Sequence, residues 1–155
     1  MANLGSVHTR RDRHDAALKI DLEVLDSRTR VLGPEHPDTL NSMTDIGIDL
    51  AKLQRLEEAE AMHSKTVAIS SRVLGSRHPT TLWSVYNLGS VAALRGNLRA
   101  ALGHLRDAVE GGFAPPQQMM GDSDLAALRG MHEFKAILEI ARKNQVGEQP
   151  GRDGP

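Results

Sequence analysis

Arg30-Val31-Leu32-Gly33-Pro34-Glu35-His36-Pro37-Asp38-Thr39-Leu40 is matched downstream by Arg72-Val73-Leu74-Gly75-Ser76-Arg77-His78-Pro79-Thr80-Thr81-Leu82. Eight of the eleven positions are identical, and every identity is offset by 42 residues. A fixed offset of that size marks an array of repeated supersecondary units. The frame extends outward from this stretch. Asn3-Leu4-Gly5 returns two periods later as Asn87-Leu88-Gly89, with Ile46-Gly47 between them. Ala17, Ala59 and Ala101 share one phase. Arg55-Leu56-Glu57-Glu58-Ala59 and Asn97-Leu98-Arg99-Ala100-Ala101 are one element in two copies.

Each period reads as two helices. The first opens at His36-Pro37-Asp38-Thr39 or His78-Pro79-Thr80-Thr81. Proline suits the first helical position, where an N–H would have no partner anyway. Asp38 falls in the first turn, which the helix dipole favours for negative charge. Leu40, Met43, Ile46, Leu50 and Leu53 then follow at helical spacing. Ala59, Met62, Thr66, Ile69 and Val73 give the second helix the same periodicity, and it stops at Gly75 as its earlier copy stops at Gly33. The turn between the helices falls at Gly96 in the third copy, at Gln54 in the second and at Asp12 in the first. A left-handed turn there strains Gln54, and Asp12 somewhat less.

Gly5, Gly47 and Gly89 lie inside the first helix of each copy, where glycine costs about 1 kcal/mol against alanine. Three at one phase predict a close approach by the partner helix, with Ala17, Ala59 and Ala101 as the opposing surface.

Small residues at these two phases, with Leu or Ile just before the glycine, resemble the tetratricopeptide repeat. The 42-residue period and the Leu-Gly-Pro-Glu-His-Pro-Asp-Thr linker are similar to the kinesin-light-chain type of that repeat, and Leu56-Glu57-Glu58-Ala59-Glu60 to the start of its second helix. The resemblance covers roughly residues 1–112. It implies an all-α fold: a short right-handed α-solenoid of antiparallel helix hairpins with a concave face. Residues 1–32 form a shortened first repeat, 33–74 a second and 75–112 a third. Met1 aligns with Met43 and Val85, so the segment matching Pro37 to Ser42 has no counterpart. This predicts the downstream end of a longer array or of a multidomain protein.

Gly111-Gly112-Phe113-Ala114-Pro115-Pro116 breaks the period. Beyond it, residues 113–144 read as a C-terminal helical cap. A short helix starts at the prolines, and a second is capped by Asp122-Ser123-Asp124, carries Leu125 and Leu128, and ends at Gly130. A final helix places Phe134, Ile137, Leu138 and Ala141 on one face. Residues 145–155, polar and rich in Gly and Pro, read as a disordered tail.

Composition narrows the function. The 155 residues carry a net charge of −1, which gives no electrostatic bias toward nucleic acid or anionic membrane. No apolar run approaches the ~18 residues of a membrane span, and no leader is visible at the start, so a cytoplasmic protein is the default. There is no cysteine, which excludes disulfides and thiolate metal sites. The seven histidines show no His-x₃-His or His-Glu-x-x-His spacing, so no metal or other cofactor is expected. His36 and His78 repeat at one linker phase for structural reasons, and His63 reads as hairpin packing. There is no Gly-x-Ser-x-Gly and no phosphate loop. Glu57-Glu58 suits a helix start, and Arg10-Arg11-Asp12-Arg13-His14 reads as a solvated basic turn. The chain is therefore expected not to be an enzyme.

The resemblance points instead to a noncatalytic protein-interaction module whose first helices line the concave face. That face carries Asn41, Thr44, Asp45 and Ile48 in the second copy and Trp83, Tyr86, Asn87 and Ser90 in the third, with Ser6 and Thr9 from the first. Trp83 and Tyr86, the only residues of their kinds, are three apart on one helical face. They either anchor a partner peptide or pack against the neighbouring hairpin or cap. Asn87 and Asn3 match the asparagines that hold a peptide backbone in kinesin-light-chain-like grooves. Asp45 replaces the middle one, which biases the groove toward Lys or Arg. Two further readings stand beside peptide binding. One is the regulatory or scaffolding C-terminal part of a signalling protein such as a bacterial Ser/Thr kinase. The other is self-association through an uncapped first hairpin. The partner and the oligomeric state are not legible.

Overall fold

A computed structural model describes residues 4–113 and 116–147, with side chains described over 13–113 and 116–145. Seven α-helices and one 3-10 helix follow one another among these residues, with no strand. They are α1 (Leu4–Leu32), α2 (Pro37–Lys52), α3 (Leu56–Val73), α4 (Pro79–Leu94), α5 (Leu98–Gly111), α6 (Pro116–Gly121), the 3-10 helix Ser123–Leu128, and α7 (His132–Gly147). Each of the first four helices packs on the next.

The two copies of the linker have one geometry. His36 and His78 are the N-caps of α2 and α4, both extended, at φ −67°, ψ 140° and φ −67°, ψ 141°. Each accepts a hydrogen bond at Nδ1 from the backbone N–H two residues on, at 3.2 Å. The proton of each ring therefore sits on Nε2 whenever the ring is neutral. Thr39 Oγ1 donates to the Gly33 carbonyl at 2.8 Å and Thr81 Oγ1 to that of Gly75 at 2.9 Å. Those contacts tie each helix start to the end of the helix before it.

α2 touches α4 directly as well as packing on α3, whereas α1 and α3, and α3 and α5, barely meet. The stack is therefore tight on the side of α2 and α4 and splayed on the side of α1, α3 and α5. The first helices of the repeats line the inner side.

Two expectations are corrected. First, no turn forms at Asp12: α1 runs unbroken from Leu4 to Leu32, and the basic run Arg10 to His14 is helical. The phases that hold Leu50 and Leu53 in the second copy hold His8 and Arg11 here. A segment folded back at Asp12 would thus lack the apolar contacts that offset a left-handed non-glycine turn, and the continuous helix keeps its backbone bonds. Second, the surface facing the helix glycines is not chiefly alanine. A methyl group at Gly47 would fall 2.5 Å from His63 Cε1, and one at Gly89 would fall 2.9 Å from Leu105 Cγ, with the Ala101 carbonyl 3.3 Å away. Ala59 and Ala101 are fully buried, but the side chain one helical turn further on makes the closest approach. The surroundings of Gly5 and the positions of Ser6 and Thr9 side chains and of Asn3 lie outside the described residues.

The cap packs on the third hairpin. The 3-10 helix lies on α4 and α7 lies on α5. Phe113, Met119, Leu125, Leu128, Phe134, Ile137, Leu138 and Ala141 join one core with Tyr86, Leu105, Ala108 and Val109. Asp122 caps the 3-10 helix, accepting from the Asp124 N–H at 3.0 Å. α7 reaches Gly147, three residues into the stretch read as a tail. Residues 148–155 lie outside the described residues.

Gln54 has φ 62°, the one positive value outside glycine among the described residues, and Gly96 takes the same role in the third copy at φ 77°. Gln54→Gly relieves that strain and is expected to raise stability by about 1 kcal/mol, or roughly 2–4 °C in Tm, in a thermal melt. Gly47→Ala drives a methyl into the His63 ring and is expected to lower stability by about 1–3 kcal/mol in a denaturant titration.

Candidate functional site

Asn41, Asp45, Ile48 and Lys52 lie along one stripe of α2, spaced i, i+4, i+7 and i+11. Asn41 and Asp45 are exposed and Ile48 is half-buried. Asn41 Oδ1 accepts from Thr80 Oγ1 at 3.0 Å. Thr44 is not on this surface: it is buried, sharing a 2.9 Å hydrogen bond with Ser84 Oγ and donating to the Leu40 carbonyl, and it fastens α2 to α4.

On α4, Trp83 is half-buried and Tyr86 is fully buried. The two rings stack with centroids 5.4 Å apart and planes 5° from parallel. Phe113 closes the cluster against both, at 5.4 and 5.0 Å. Tyr86 Oη donates to Asp122 Oδ2 at 2.6 Å. Burial, reinforced by that carboxylate, holds the phenol well above its ordinary pKa. Asn87 is buried too, and its Nδ2 donates to the Trp83 carbonyl at 2.8 Å, so its amide is engaged with its own helix. The cap therefore lies over the third-copy part of the expected surface.

Between α2, α4 and the 3-10 helix is a cavity of about 180 Å³. Ile48, Trp83, Tyr86, Asn87 and Ser90 all line it, so five of the eight residues expected to bind a partner share one site. Asn41, Thr44 and Asp45 are not among its lining. At its edge Lys52 Nζ meets Asp124 Oδ2 at 3.2 Å, joining α2 to the cap.

His63 of α3 also lines the cavity, and it is fully buried. Among the described residues neither ring nitrogen has a hydrogen-bond partner, nor has the hydroxyl of Ser90. Burial pushes the His63 pKa down to about 4, so the ring is neutral at pH 7. The periodicity correctly gives His63 a packing role, but not its place beside the inner face. The sequence gives Asp122 its capping role but neither its contact with Tyr86 nor the Lys52–Asp124 pair. A helix-cap signal at Asp122 carries no information about which carboxylate oxygen reaches Tyr86.

Beside this site the surface is acidic. His14 Nδ1 lies 3.3 Å from Asp49 Oδ1. The Asp45 carboxyl is held above its usual range by partial burial and then by the charge of Asp49, against the opposing pull of Arg28. Asp21 is raised likewise, by burial first and then by Asp49 and Asp45. Among the described residues no group of three or more His, Cys, Asp or Glu is arranged to hold a metal ion. No helix among them is long and apolar enough to cross a membrane.

The family profile described as tetratricopeptide repeat matches residues 1–63 and again residues 46–111. The chain belongs to the tetratricopeptide repeat family. No curated protein gives a significant match to it. Tetratricopeptide repeats are a non-catalytic module that mediates protein–protein interaction, which agrees with a surface built of packing, capping and hydrogen-bonding groups.

A neutral buried imidazole makes stability depend on acid. His63 titrates near 6.5 when unfolded and near 4 when folded. Its effect is absent above pH 6.5, and stability falls by about 1.4 kcal/mol per pH unit between those values, because only the unfolded chain takes up the proton. Leu105 fills the same phase in the third copy. His63→Leu is expected to lose this component, so that its stability advantage over the parent grows by about 3 kcal/mol between pH 7 and pH 4 in urea titrations.

Proposed function

We propose that this tetratricopeptide repeat chain binds an extended segment of a partner protein along the inner side of α2 and α4. The observation that carries the reading is the convergence of Ile48, Trp83, Tyr86, Asn87 and Ser90 on one cavity there. The exposed part of this surface comprises Asn41 and Asp45, with Ile48 and the half-buried Trp83 as apolar contacts. Tyr86 and Asn87 hold Trp83 and its helix in place from beneath. The 42-residue period and the His-Pro linker support a repeat of the kinesin-light-chain type.

Charge selects the segment. Asp21, Asp45 and Asp49 crowd one region, and Asp21 and Asp45 are already raised by burial and by their neighbours. A Lys or Arg placed there relieves that repulsion, whereas an acidic residue adds to it. The segment is therefore basic at the point where it passes α2.

A second reading, self-association, has support in the apolar residues that α1 exposes: Ile20, Leu22, Val31 and Leu32. Sedimentation over a range of concentrations decides it.

Titration of basic and acidic peptides, followed by Trp83 fluorescence, tests the main reading. The basic peptides bind more tightly, and salt weakens them. Asp45→Asn reduces that preference by about threefold to tenfold, equivalent to about 1 kcal/mol. An unchanged preference removes Asp45 from the account. Unchanged binding by Trp83→Ala, followed by a labelled peptide, moves the site off this face.

A further inference from the structure

A second groove, of about 350 Å³, lies in the cap between α6 and α7 and shares no lining residue with the inner-face cavity. Its apolar floor is Phe134 and Leu138, with Met120 on its edge. Met120 is 50% exposed. Three cations surround this floor: Arg129, Lys135 and Arg142. Lys135, Leu138 and Arg142 fall on one face of α7, at i, i+3 and i+7.

The cations differ in what they already contact. Arg142 pairs with Glu139 and reaches Met120 Sδ at 3.6 Å. Arg129 donates to the Asp122 carbonyl at 3.1 Å. Among the described residues, neither Arg129 nor Lys135 meets a carboxylate within 4 Å. The lining holds one acid, Glu139, which is paired with Arg142, so the groove joins an apolar floor to two positive charges that form no ion pair among the described residues.

We propose that this groove docks an acidic, amphipathic segment of another protein, with its apolar side chains on Phe134, Leu138 and Met120 and its carboxylates on Lys135 and Arg129. Charge complementarity fixes the class. A basic segment meets two like charges, and an uncharged one leaves them unpaired beside a dry floor. The chain's own residues 148–155, Glu-Gln-Pro-Gly-Arg-Asp-Gly-Pro, offer no large apolar side chain and do not match. The cap is thus a second interaction surface, of opposite charge to the inner face.

The probe is a fluorescein-labelled peptide of roughly twelve residues, ~18 Å long as a helix, with leucines on one face and glutamates on the other. Fluorescence anisotropy against the full chain is expected to give micromolar binding that weakens with salt. Lys135→Glu and Met120→Glu are each expected to weaken it about tenfold, with circular dichroism and Tm retained. Asp45→Asn is expected to leave it unchanged, which separates this surface from the one on α2 and α4. Unaltered binding by Lys135→Glu, or equal binding of the lysine counterpart of the peptide, overturns the proposal. So does capture of the chain by phosphatidylserine vesicles that depends on Lys135 without any peptide binding. Self-association that Lys135→Glu abolishes overturns it in favour of a second copy.

Discussion

Where α2 crosses α3, the ring of His63 lies against the bare backbone of Gly47, and where α4 crosses α5 the Leu105 side chain lies against Gly89 in the same way. This contact sets the separation within each hairpin. A glycine inside a helix is a local cost, recovered because the partner side chain can lie directly on the backbone. With each hairpin closed at that depth, α2 and α4 come near enough for Thr44 to reach Ser84 and Asn41 to reach Thr80. Those two bonds fasten one hairpin to the next, and the inner surface is the consequence.

Filling the same contact with different side chains gives the copies different properties. Leu105 closes it with hydrocarbon and leaves no polar atom buried. His63 closes it with a ring whose two nitrogens find no partner among the described residues, beside a cavity bordered by Ser90 and the stacked aromatics. The corresponding residue of the first copy is Asp21, whose carboxyl is raised by burial and by Asp49 and Asp45. The inner face takes its character from these departures from ideal packing: polar and recessed beside the second copy, acidic beside the first.

Sequence reading succeeds where a residue type has one local consequence that its repetition confirms. His36 and His78, Gly33 and Gly75, and the glycine phase at 47 and 89 each specify backbone geometry, and each recurs in register. It fails where phase is kept but the supporting contacts are not. Asp12 holds the turn phase, yet His8 and Arg11 stand where leucines would secure a fold-back, and the helix continues. It fails also where the outcome is tertiary. Trp83 and Tyr86, three residues apart, stack on one another, but only the fold-back of the cap decides that Tyr86 is sealed by Asp122 while Trp83 stays half-buried. Nothing in the spacing of residues 113–144 tells which helix they cover.

Stability in a repeat array is close to a sum over units and their interfaces, so the three packing solutions grade it along the chain. The third hairpin has an apolar contact, an aromatic cluster and the cap over it. The second carries an unpartnered imidazole. The first contributes one helix, with Ile20, Leu22 and Val31 exposed and a crowded aspartate at the packing phase. The least secured end is also where Asp21 of α1 faces Asp45 and Asp49 of α2. Under the proposed reading, a basic segment passing α2 adds to the partial relief that Arg28 already gives Asp21 and Asp45. Under that same reading, a segment that binds only the folded form stabilises it by mass action. The downstream end, already closed by Tyr86–Asp122 and Lys52–Asp124, has little left to gain in this way.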